Sequence, residues 1–427
     1  MQETITPVTK VDGTISLPGD KSISHRSLMI SAVAEGQSEI ENLSHGQDVQ
    51  STRQCLEDLG VEIIEEEHRL IVNGVGLTGL QNPHKVLDVG NSGTTIRLIS
   101  GILAGQSFNS VLTGDDSIKQ RPMSRIITPL RQMGIEVSAE NDEYAPIKIH
   151  GGEVKAIEYQ SPVASAQVKS CVMFAGLFAQ GRTVVYEKAA TRDHTELMLS
   201  KFGASVNKEG LKVSVDGQAR LQGQQVFVPG DISSAAYFIA AALLIPDGSI
   251  LIKNVGINPT RRGLLELLAD FGANIDIINV RTVDNELMAD LFVKHSQLQG
   301  MKIEGAMIPQ VIDEIPILAV LATQADGVTE ISDAEELRFK ESDRLRSMCF
   351  NLQRMGAKVE EKKDGLIIDG NASLSGAEIE TFHDHRIAMS FAIAGLIAKS
   401  EIHIKGADCA NVSYPGFYNI LREVTRD

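Results

Sequence analysis

The stretch TTIRLISGILAGQSFNSVLTG, residues 94–114, contains the pattern from which the fold follows. Its first half is an apolar helical segment, a glycine-containing turn comes next, and its last part alternates as a strand does. The same pattern recurs roughly every 73 residues and accounts for essentially the whole chain. The six copies begin at His25, Thr94, Ala166, Ser233, Glu314 and His385.

A second motif, L-x-x-[LMF]-G before a strand, lies between the copies of the first. Its glycine fits the left-handed position that follows a helix C-terminus, where a Cβ would be strained. Each repeat is therefore predicted to hold a buried apolar helix, an outer amphipathic helix and several short strands. The five clear copies begin at Leu56, Leu130, Leu199, Leu268 and Leu352.

The two halves of the chain also resemble each other. LPGDKSIS at Leu17–Ser24 is similar to VPGDISSA at Val228–Ala235, 211 residues later in a chain of 427. We therefore predict an α/β protein with two equivalent domains of three repeats each. The opening strand precedes the first crossing, so the predicted domains are residues 1–20 with 229–427, and residues 21–228.

Composition excludes several classes of function. With 40 Lys and Arg against 56 Asp and Glu, the formal net charge is −16, which disfavours nucleic acid and anionic membranes as partners. No apolar run reaches the ~18 residues of a spanning helix. The first ten residues lack the apolar segment of a secretory signal, and the four cysteines are scattered. We expect a cytoplasmic protein with reduced thiols.

Polar and basic residues precede each buried helix. The free N–H groups and partial positive charge of a helix N-terminus favour anions. Serine, asparagine and aspartate there fit equally well as N-caps. Capping does not account for Lys21, Arg26 and Arg386, whose charge opposes the helix dipole unless an anion lies among them. We predict that such N-termini converge on one cleft that binds a polyanionic small molecule.

Three more basic residues join this set. Arg121 lies in KQRPM, where Pro122 restricts the backbone. Lys340 and Arg344 in RFKESDR are spaced i,i+4 on a predicted helix, where like charges repel. Either a bound anion or the neighbouring acidic residues would neutralise them. Asp115–Asp116 follows a glycine at a strand end and is predicted to be a turn.

Asp313–Glu314 is an acidic pair in the apolar segment VIDEIPILAVLA. Burial would raise a carboxylate's pKa and nearby cations would lower it. A carboxylate held beside bound anions suits proton transfer, while a cap on the following helix is an alternative that can coexist with this role. His383 and His385 lack a nearby third ligand for a metal. Neither a Walker motif nor a nucleophile elbow is present.

Nine motifs, in order from about Leu17 to Pro415, resemble the 5-enolpyruvylshikimate-3-phosphate (EPSP) synthase family. The resemblance implies two domains of three βαβαββ units each, with the active site in the interdomain cleft. It implies transfer of the enolpyruvyl group of phosphoenolpyruvate to the 5-hydroxyl of shikimate 3-phosphate, in the shikimate pathway, with release of phosphate. No cofactor or metal is implied, and we expect a monomer. The motifs are GDKSISHRS, GNSGTTIRL, RPM, SAQVKS, TRDHTE, GDISSAAYF, DEIP, FKESDR and DHRIAMS.

The resemblance also implies roles for individual residues. Asp313 would take the proton from the attacking hydroxyl, and Glu341 with Lys21 would protonate the enolpyruvyl methylene. Shikimate 3-phosphate would be bound by Lys21, Ser22, Arg26, Ser165, Ala166, Gln167, Arg192, Asp313 and Lys340. Phosphoenolpyruvate would be bound by Lys21, Gly93, Arg121, Gln167, Arg344, His385 and Arg386.

Two features separate the chain from parts of the wider group. Some EPSP synthases carry a Lys shortly before the final aromatic–Pro pair, and Asn411–Pro415 has none. The sister transferase that acts on UDP-N-acetylglucosamine has a Cys in the loop before its Arg-Pro, and residues 114–122 have none. A third interpretation, an anion sensor without activity on this scaffold, is disfavoured by the intact Asp313, Glu341 and Lys21.

Resemblance to this family further implies inhibition by glyphosate, a phosphonate that competes with phosphoenolpyruvate. Resistant members often carry Ala at the position of Gly93, and the added methyl would occupy space that the longer inhibitor needs. The alternative is that Gly93 serves backbone geometry alone, such as a positive φ. Leu98 replaces a Pro that some members carry nearby. We expect the protein to be sensitive to glyphosate.

Overall fold

The structure is a computed structural model that describes residues 1–67 and 69–426. Short 3₁₀ helices occupy Gly305–Met307, Glu335–Phe339 and Ala407–Val412. The α-helices of the described residues are α1 (Lys21–Ala32), α2 (Gln47–Asp58), α3 (Gly93–Ala104), α4 (Asp116–Gln120), α5 (Ser124–Gln132), α6 (Ala166–Gly176), α7 (His194–Lys201), α8 (Ile232–Leu244), α9 (Gly263–Asp270), α10 (Ile308–Val311), α11 (Ile315–Ala322), α12 (Arg344–Arg354), α13 (His385–Leu396) and α14 (Phe417–Val424).

Strands in the same part of the chain are short. They are β1 (Gln2–Ile5), β2 (Lys10–Ser16), β3 (Glu35–Glu41), β4 (Glu62–Glu65), β5 (Arg69–Val75), β6 (Leu87–Asp88), β7 (Asn109–Thr113), β8 (Glu136–Glu140), β9 (Tyr144–His150), β10 (Glu158–Gln160), β11 (Arg182–Tyr186), β12 (Val206–Glu209), β13 (Lys212–Asp216), β14 (Gln225–Phe227), β15 (Ser249–Gly256), β16 (Asn274–Val283), β17 (Glu286–Lys294), β18 (Lys302–Ile303), β19 (Val328–Ile331), β20 (Val359–Glu361), β21 (Leu366–Asp369), β22 (Glu378–Glu380), β23 (Ile402–Lys405) and β24 (Thr425–Arg426).

The chain divides into two compact units. The first unit comprises Met1–Pro18, Pro229–Thr282 and Leu287–Asp427, and the second comprises Gly19–Val228 with Val283–Glu286. Val283–Glu286 spans the turn from β16 to β17, and its place in the second unit was not foreseen from the sequence. Each unit has its own apolar core.

Three sheets in the second unit share one strand order. They run β14-β3-β5-β4, β6-β7-β9-β8 and β10-β11-β13-β12. In each, the first pair is parallel and the other two pairs are antiparallel. The last strand of the unit closes its first sheet, because Gln225 in β14 aligns with Glu39 in β3.

The first unit varies this arrangement, which it keeps in the sheet formed by β18 to β21. Its sheets run β16-β17-β15-β2-β24, β18-β19-β21-β20 and β1-β23-β22. The N-terminal strands complete two of them, since β2 pairs with β15 in parallel and β1 pairs with β23 antiparallel. Each sheet therefore corresponds to one of the six sequence repeats, which confirms the predicted repeat architecture.

The first helix of every repeat is buried, as its sequence predicts. These helices are apolar nearly all round, so no face can be left in water without exposing apolar area. In α8 every residue from Ile232 to Leu243 is buried. The predicted helices are confirmed as α1, α3, α6, α8, α11 and α13.

The five glycines of the second motif all adopt left-handed backbone. Their φ angles lie between 86° and 102°, a region in which a Cβ would be strained. Glycine therefore ends each outer helix and turns the chain into the next strand, as predicted. The glycines are Gly60, Gly134, Gly203, Gly272 and Gly356.

Among the described residues, no single helix is both long and apolar enough to cross a membrane. Gly305–Val311 and Ile315–Ala322 meet that criterion only when taken together, and they are bent by 112°. The second of these segments is α11, all of whose residues are buried in the first unit's core.

Candidate functional site

In the second unit, Lys21 begins helix α1. Asp20 caps the helix, its Oδ1 accepting from the N–H of Ile23 at 2.9 Å. The Lys21 ammonium donates to Asp48 Oδ2 at 2.8 Å, and 18% of its side chain stays exposed. Asp48, on α2, offsets the unfavourable interaction of this cation with the helix dipole. The cap interpretation is therefore confirmed for Asp20, and Lys21 has a carboxylate partner in its own unit.

Arg26, one turn further along α1, is fixed from three elements. Its Nη1 donates to the Ser22 carbonyl at 2.8 Å within α1. Its Nη2 donates to Ser170 Oγ on α6 at 2.8 Å, and its Nε to Thr195 Oγ1 on α7 at 2.6 Å. A guanidinium held by three helices has a defined orientation, which is what recognition of a phosphate requires.

Burial lowers the pKa of Arg26 to about 10, although Glu196 and Asp20 favour its charged form. Arg192 acts in the same direction as burial, so a second cation faces Arg26. The guanidinium is still protonated at neutral pH. Two neighbouring cations in a desolvated position are stabilised by a bound anion.

Gln167 connects α6 to α3. Its Oε1 accepts from Arg97 Nη1 at 2.7 Å and its Nε2 donates to Thr94 Oγ1 at 3.0 Å. Gly93, the first residue of α3, follows the cap residue Ser92, whose Oγ accepts from the Thr95 N–H at 3.1 Å. The structure thus brings the predicted residues Gly93 and Gln167 together.

Ser165 and Ala166 form the N-terminus of α6. Ser165 is the N-cap, and its hydroxyl accepts from the Val168 N–H at 3.4 Å. Ala166 is the first helical residue, and its carbonyl accepts from Ser170 Oγ at 2.7 Å. This end of α6 lies one turn from the residue that orients Arg26.

Arg121 is buried beside the α3 N-terminus. Its Nη2 donates to Ser117 Oγ at 2.9 Å and to Asn91 Oδ1 at 3.1 Å. Asn91 Nδ2 in turn donates to Asp115 Oδ2 at 2.6 Å. Asn91, which lies in the GNSGTTIRL motif, therefore orients a predicted phosphoenolpyruvate-binding cation.

The predicted turn at Asp115–Asp116 is wrong. Asp115 is the N-cap of α4, and its Oδ1 accepts from the Ile118 N–H at 2.9 Å. Aspartate is among the preferred N-cap residues, and here it starts a five-residue helix. That helix presents Ser117 to Arg121.

In the first unit, Arg344 is 1% exposed and is surrounded by carboxylates. Its Nε donates to Asp384 Oδ2 at 2.8 Å, and its Nη1 lies 3.5 Å from Asp313 Oδ1. Its Nη2 is paired with Glu341 Oε2. Burial would lower the pKa of Arg344, but Asp384 and Glu341 raise it above its usual value.

The predicted common helix for Lys340 and Arg344 is wrong. Lys340 follows the 3₁₀ helix Glu335–Phe339 in extended backbone, with φ −88° and ψ −154°. Asp343 then caps α12, its Oδ1 accepting from the Arg346 N–H at 3.1 Å. The aspartate starts a new helix at Arg344, so the two cations are not on one face.

Carboxylates neutralise both Arg344 and Arg386, which for Arg344 is one of the two alternatives that the sequence left open. The Arg386 Nη1 donates to the Asp313 carbonyl at 2.8 Å and lies 3.9 Å from Glu314 Oε1. Burial would lower the pKa of Arg386, and the charge of Asp313 raises it above its usual value. The first unit therefore holds its arginines in place with its own carboxylates.

Of the acidic pair, Asp313 is the residue that solvent can reach. Its side chain is 19% exposed, and Oδ1 lies 3.5 Å from Arg344 and 4.0 Å from Arg386. Glu314 is 2% exposed and accepts from Ser233 Oγ. As the N-cap of α11, Glu314 makes no side-chain cap hydrogen bond, so the cap interpretation is wrong for it.

Lys340 and His385 complete the predicted residues of the first unit. Burial lowers the pKa of the half-buried Lys340, and the charge of Asp313 opposes that shift, which places the two side chains near each other. His385 is 1% exposed at the start of α13. Within residues 1–67 and 69–426, no three His, Cys, Asp or Glu side chains group as a metal site.

Asp384 is the main residue that the sequence analysis missed. Besides Arg344, it accepts from Ser342 Oγ at 3.1 Å and from the Arg386 N–H at 2.9 Å. It is fully buried, so one carboxylate holds the guanidinium of Arg344 and caps the helix that begins with His385 and Arg386. The signal was present in DHRIAMS, but an aspartate before a helix is indistinguishable from an ordinary N-cap.

A family model described as EPSP synthase (3-phosphoshikimate 1-carboxyvinyltransferase) matches residues 5–421. The chain belongs to the EPSP synthase family. A 3-phosphoshikimate 1-carboxyvinyltransferase of Thermoanaerobacter sp. (strain X514) is 52% identical, covering 95% of this chain and 96% of the relative. That of Brevibacillus brevis is 50% identical, covering 98% of each.

A solved EPSP synthase from Acinetobacter baumannii superposes with a TM-score of 0.89. It is 42% identical, and the match covers 99% of this chain and 98% of that one. The predicted family and the two-domain enolpyruvyl transferase fold are thereby confirmed. EPSP synthases use shikimate 3-phosphate and phosphoenolpyruvate as substrates.

Family membership makes Gly93 the position to test with glyphosate. Gly93 is helical and not at positive φ, so a left-handed backbone is not the reason for glycine at this position. A Cβ there would lie 3.1 Å from Arg97 Nη1 and 3.2 Å from Arg121 Nη1. We expect Gly93→Ala to displace both guanidinium groups slightly, to raise the phosphoenolpyruvate KM modestly, and to raise the glyphosate inhibition constant by about tenfold or more.

Steady-state inhibition measurements on both proteins test this, with Gly152→Ala as the matched control. A Cβ at Gly152 meets no atom within 4 Å, so both constants should stay at their wild-type values. Equal losses for substrate and inhibitor in Gly93→Ala would contradict the selective effect. A wild-type protein unaffected by glyphosate would contradict the expected sensitivity.

Proposed function

We propose that the chain binds shikimate 3-phosphate and phosphoenolpyruvate and carries out the reaction of the EPSP synthase family. The enolpyruvyl group passes to the 5-hydroxyl of shikimate 3-phosphate, and phosphate is released. The observation that carries the residue assignment is Asp313, an accessible carboxylate beside Arg344, Arg386 and Lys340. A base next to cations that hold anionic substrates is what this chemistry needs.

The binding roles are distributed over both units. Cations fixed by protein contacts before the substrate arrives stabilise charge without reorganising, which favours the assignment. The shikimate 3-phosphate set is Lys21, Ser22, Arg26, Ser165, Ala166, Gln167, Arg192, Asp313 and Lys340. The phosphoenolpyruvate set is Lys21, Gly93, Arg121, Gln167, Arg344, His385 and Arg386.

In the proposed addition step, Asp313 takes the proton of the 5-hydroxyl as its oxygen attacks C2 of phosphoenolpyruvate. Glu341 in its protonated form, assisted by Lys21, gives that proton to the methylene, which becomes a methyl group. The product is a tetrahedral intermediate that still carries the phosphate. Protonation is required because an enol ether carbon is weakly electrophilic until its methylene accepts a proton.

In the elimination step, a methyl proton returns to the protein and the C–O bond to phosphate breaks. The carbon–carbon double bond re-forms in the enolpyruvyl product. Arg121, Arg344 and Arg386 stabilise the departing phosphate. Holding two anions side by side also supplies the proximity contribution to the rate. No cofactor enters this sequence of steps.

The Lys that some EPSP synthases carry near the C-terminus has no counterpart in the proposed site. Asn411–Pro415 contains no cation. Lys405, the nearest upstream lysine, is paired with Glu378 at 2.5 Å and with Glu380 at 3.2 Å on the neighbouring strand. Phosphoenolpyruvate is therefore bound by three arginines and Lys21 without a C-terminal lysine.

The remaining parts of the proposal concern context. The net charge of −16 supports a protein that acts in the cytoplasm without nucleic-acid or membrane partners. We also propose that it acts as a monomer. Size-exclusion chromatography with light scattering tests this, and a stable dimer would contradict it.

Phosphate release with different acceptors tests the proposed function. With phosphoenolpyruvate present, shikimate 3-phosphate should support continuous release. UDP-N-acetylglucosamine and unphosphorylated shikimate should support little or none. Release with the nucleotide sugar would indicate the sister transferase. Tight binding of shikimate 3-phosphate without any release would indicate an anion sensor.

The lowered pKa of Lys340 gives a pH-dependent prediction. As pH rises, its ammonium loses the proton at a lower pH than an exposed lysine, whose pKa is about 10.4. Because the charged form is proposed to bind the ring of shikimate 3-phosphate, the KM for this substrate should rise on the alkaline side. In Lys340→Arg the side chain keeps its proton up to about pH 12. The rise in KM on the alkaline side should therefore disappear.

The measurement is KM for shikimate 3-phosphate from neutral to alkaline pH. Lys363→Arg is the matched control, because Lys363 is an exposed lysine paired with Glu335 at 3.4 Å. Its pH profile should follow the wild type. The same alkaline rise in Lys340→Arg and wild type would exclude Lys340 as its source.

A further inference from the structure

A charged group lies inside the second unit that the proposed reaction does not use. Lys169, Glu187 and Glu196 are 1%, 7% and 4% exposed. The Lys169 Nζ lies 2.6 Å from Glu196 Oε1 and 3.1 Å from Glu187 Oε1. Glu187 also accepts from Thr191 Oγ1. Fully buried charges are rare, and each needs a partner to remain ionised.

This ion pair joins the two helices that hold Arg26. Lys169 is on α6 and Glu196 is on α7. The next residue of α6, Ser170, and the preceding residue of α7, Thr195, have their hydroxyl oxygens 2.6 Å apart. Both hydroxyls accept from Arg26. The Lys169–Glu196 pair and the Ser170–Thr195 pair are therefore adjacent links between the same two helices.

We propose that the Lys169–Glu196 ion pair is a positioning device for Arg26. It holds α6 and α7 at the separation at which Ser170 and Thr195 both accept from the guanidinium. It thereby sets the direction in which Arg26 presents its remaining N–H groups to the phosphate of shikimate 3-phosphate. This inference rests on the proposed function, which assigns Arg26 to that substrate.

An ion pair serves this purpose better than an apolar contact would. Apolar contacts of similar volume stabilise a core equally well but fix no direction. Opposite charges held 2.6 Å apart fix the separation of the two side chains, because the attraction between them weakens as they move apart. Burial raises the pKa of Glu196 and the charge of Lys169 opposes this, so the pair depends on the two helices staying in register.

Charge also connects the pair to Arg26. Glu196 favours the protonated form of Arg26, which burial disfavours. Glu187 supplies the second carboxylate, so Lys169 remains neutralised if the charge of Glu196 is removed. Glu196→Gln therefore weakens the link between the helices without leaving an unpaired cation in the core.

The experiment compares Glu196→Gln, Thr195→Val and the double variant. We expect Glu196→Gln to raise the KM for shikimate 3-phosphate by about tenfold, the lower range for one hydrogen bond to a charged group. The turnover number and the phosphoenolpyruvate KM should stay at their wild-type values. Because both changes act through Arg26, the double variant should lose less than the product of the single effects.

Val213→Ala is the matched control. Val213 is a fully buried residue of β13 in the same unit, so its truncation lowers the melting temperature without removing a charged group of the proposed link. Its KM for shikimate 3-phosphate should equal the wild-type value. If Glu196→Gln does not fold, Lys169→Arg keeps the charge, alters the length of the link and carries the same expectation.

Three outcomes would overturn the inference. The first is an unchanged KM for shikimate 3-phosphate in Glu196→Gln while wild-type turnover is normal, which leaves the proposed function intact. The second is that Glu196→Gln shows the same loss of turnover and the same rise in both KM values as Val213→Ala, when the two variants have the same melting temperature. The third is a wild-type protein inactive with both substrates, which overturns the proposed function as well.

Discussion

Asp313→Asn should lower the turnover number by about 10²–10⁴-fold, the usual contribution of one general acid–base group. The substitution preserves the shape of the side chain, and the Asp313 carbonyl can still accept from Arg386. An amide cannot take the proton of the attacking hydroxyl. Affinity for shikimate 3-phosphate should largely survive, because the other proposed contacts to that substrate are unchanged. Phosphate release measured at fixed times gives the turnover number, and equilibrium binding gives the affinity for shikimate 3-phosphate.

Asp326→Asn is the control for this variant. Asp326 lies in the same unit and accepts from Asn371 Nδ2 at 3.0 Å on the surface. Asp326→Asn removes the same charge as Asp313→Asn, and its turnover number should equal that of the wild type. Near-normal turnover of Asp313→Asn would exclude Asp313 as the base. An equal loss of turnover in both variants would point to a general effect of charge.

Glu341→Gln is expected to have a loss of similar size, about 10²–10⁴-fold in turnover. A glutamine cannot protonate the methylene, so phosphoenolpyruvate would remain a poor electrophile. Arg344 keeps Asp384 at 2.8 Å and Asp313 at 3.5 Å, so the guanidinium remains paired in the variant. The phosphoenolpyruvate KM should therefore change much less than the turnover number.

Glu335→Gln is the matched control for this second variant. Glu335 lies six positions before Glu341 on the 3₁₀ helix and is paired with Lys363 on the surface. It should retain wild-type kinetics. Proton exchange at C3 of phosphoenolpyruvate in deuterated water gives an independent readout. Exchange at the wild-type rate in Glu341→Gln would contradict its role as the proton donor.

Much of the fold could be predicted because it depends on local patterns. The apolar helices, the strand alternation and the glycines at Gly60 and Gly134 are properties of short segments. Each of these segments has the same physical requirements in every repeat. Periodicity therefore predicted six units, and the structure shows six corresponding sheets.

The pairing of distant side chains could not be predicted in this way. Lys21 meets Asp48 on another helix, and Arg344 meets Asp384 from 40 residues away. A single sequence shows which residue types are present but not which of them come into contact. For this reason the sequence could not show whether a bound anion or acidic residues neutralise Arg344, and it did not identify Asp384 as a partner of Arg344.

Local rules also failed where one residue starts a new element. Lys340 has extended backbone, and Asp343 caps α12, which begins at Arg344. Lys340 and Arg344 are therefore four positions apart without lying on one helix. Asp115 likewise caps a short helix where a turn was expected. In both cases the capping aspartate starts the helix that carries a residue of the candidate site or its partner. These residues are Arg344 on α12 and Ser117, which contacts Arg121, on α4.

Phosphorus NMR of the wild-type protein with both substrates tests the central proposal most directly. The signal of phosphoenolpyruvate should decrease as inorganic phosphate appears in equal amount. The 3-phosphate signal should shift to that of an enolpyruvyl product while remaining a phosphate ester. Omission of shikimate 3-phosphate should stop all change. Phosphate formed from phosphoenolpyruvate without that acceptor, or loss of the 3-phosphate ester itself, would contradict enolpyruvyl transfer.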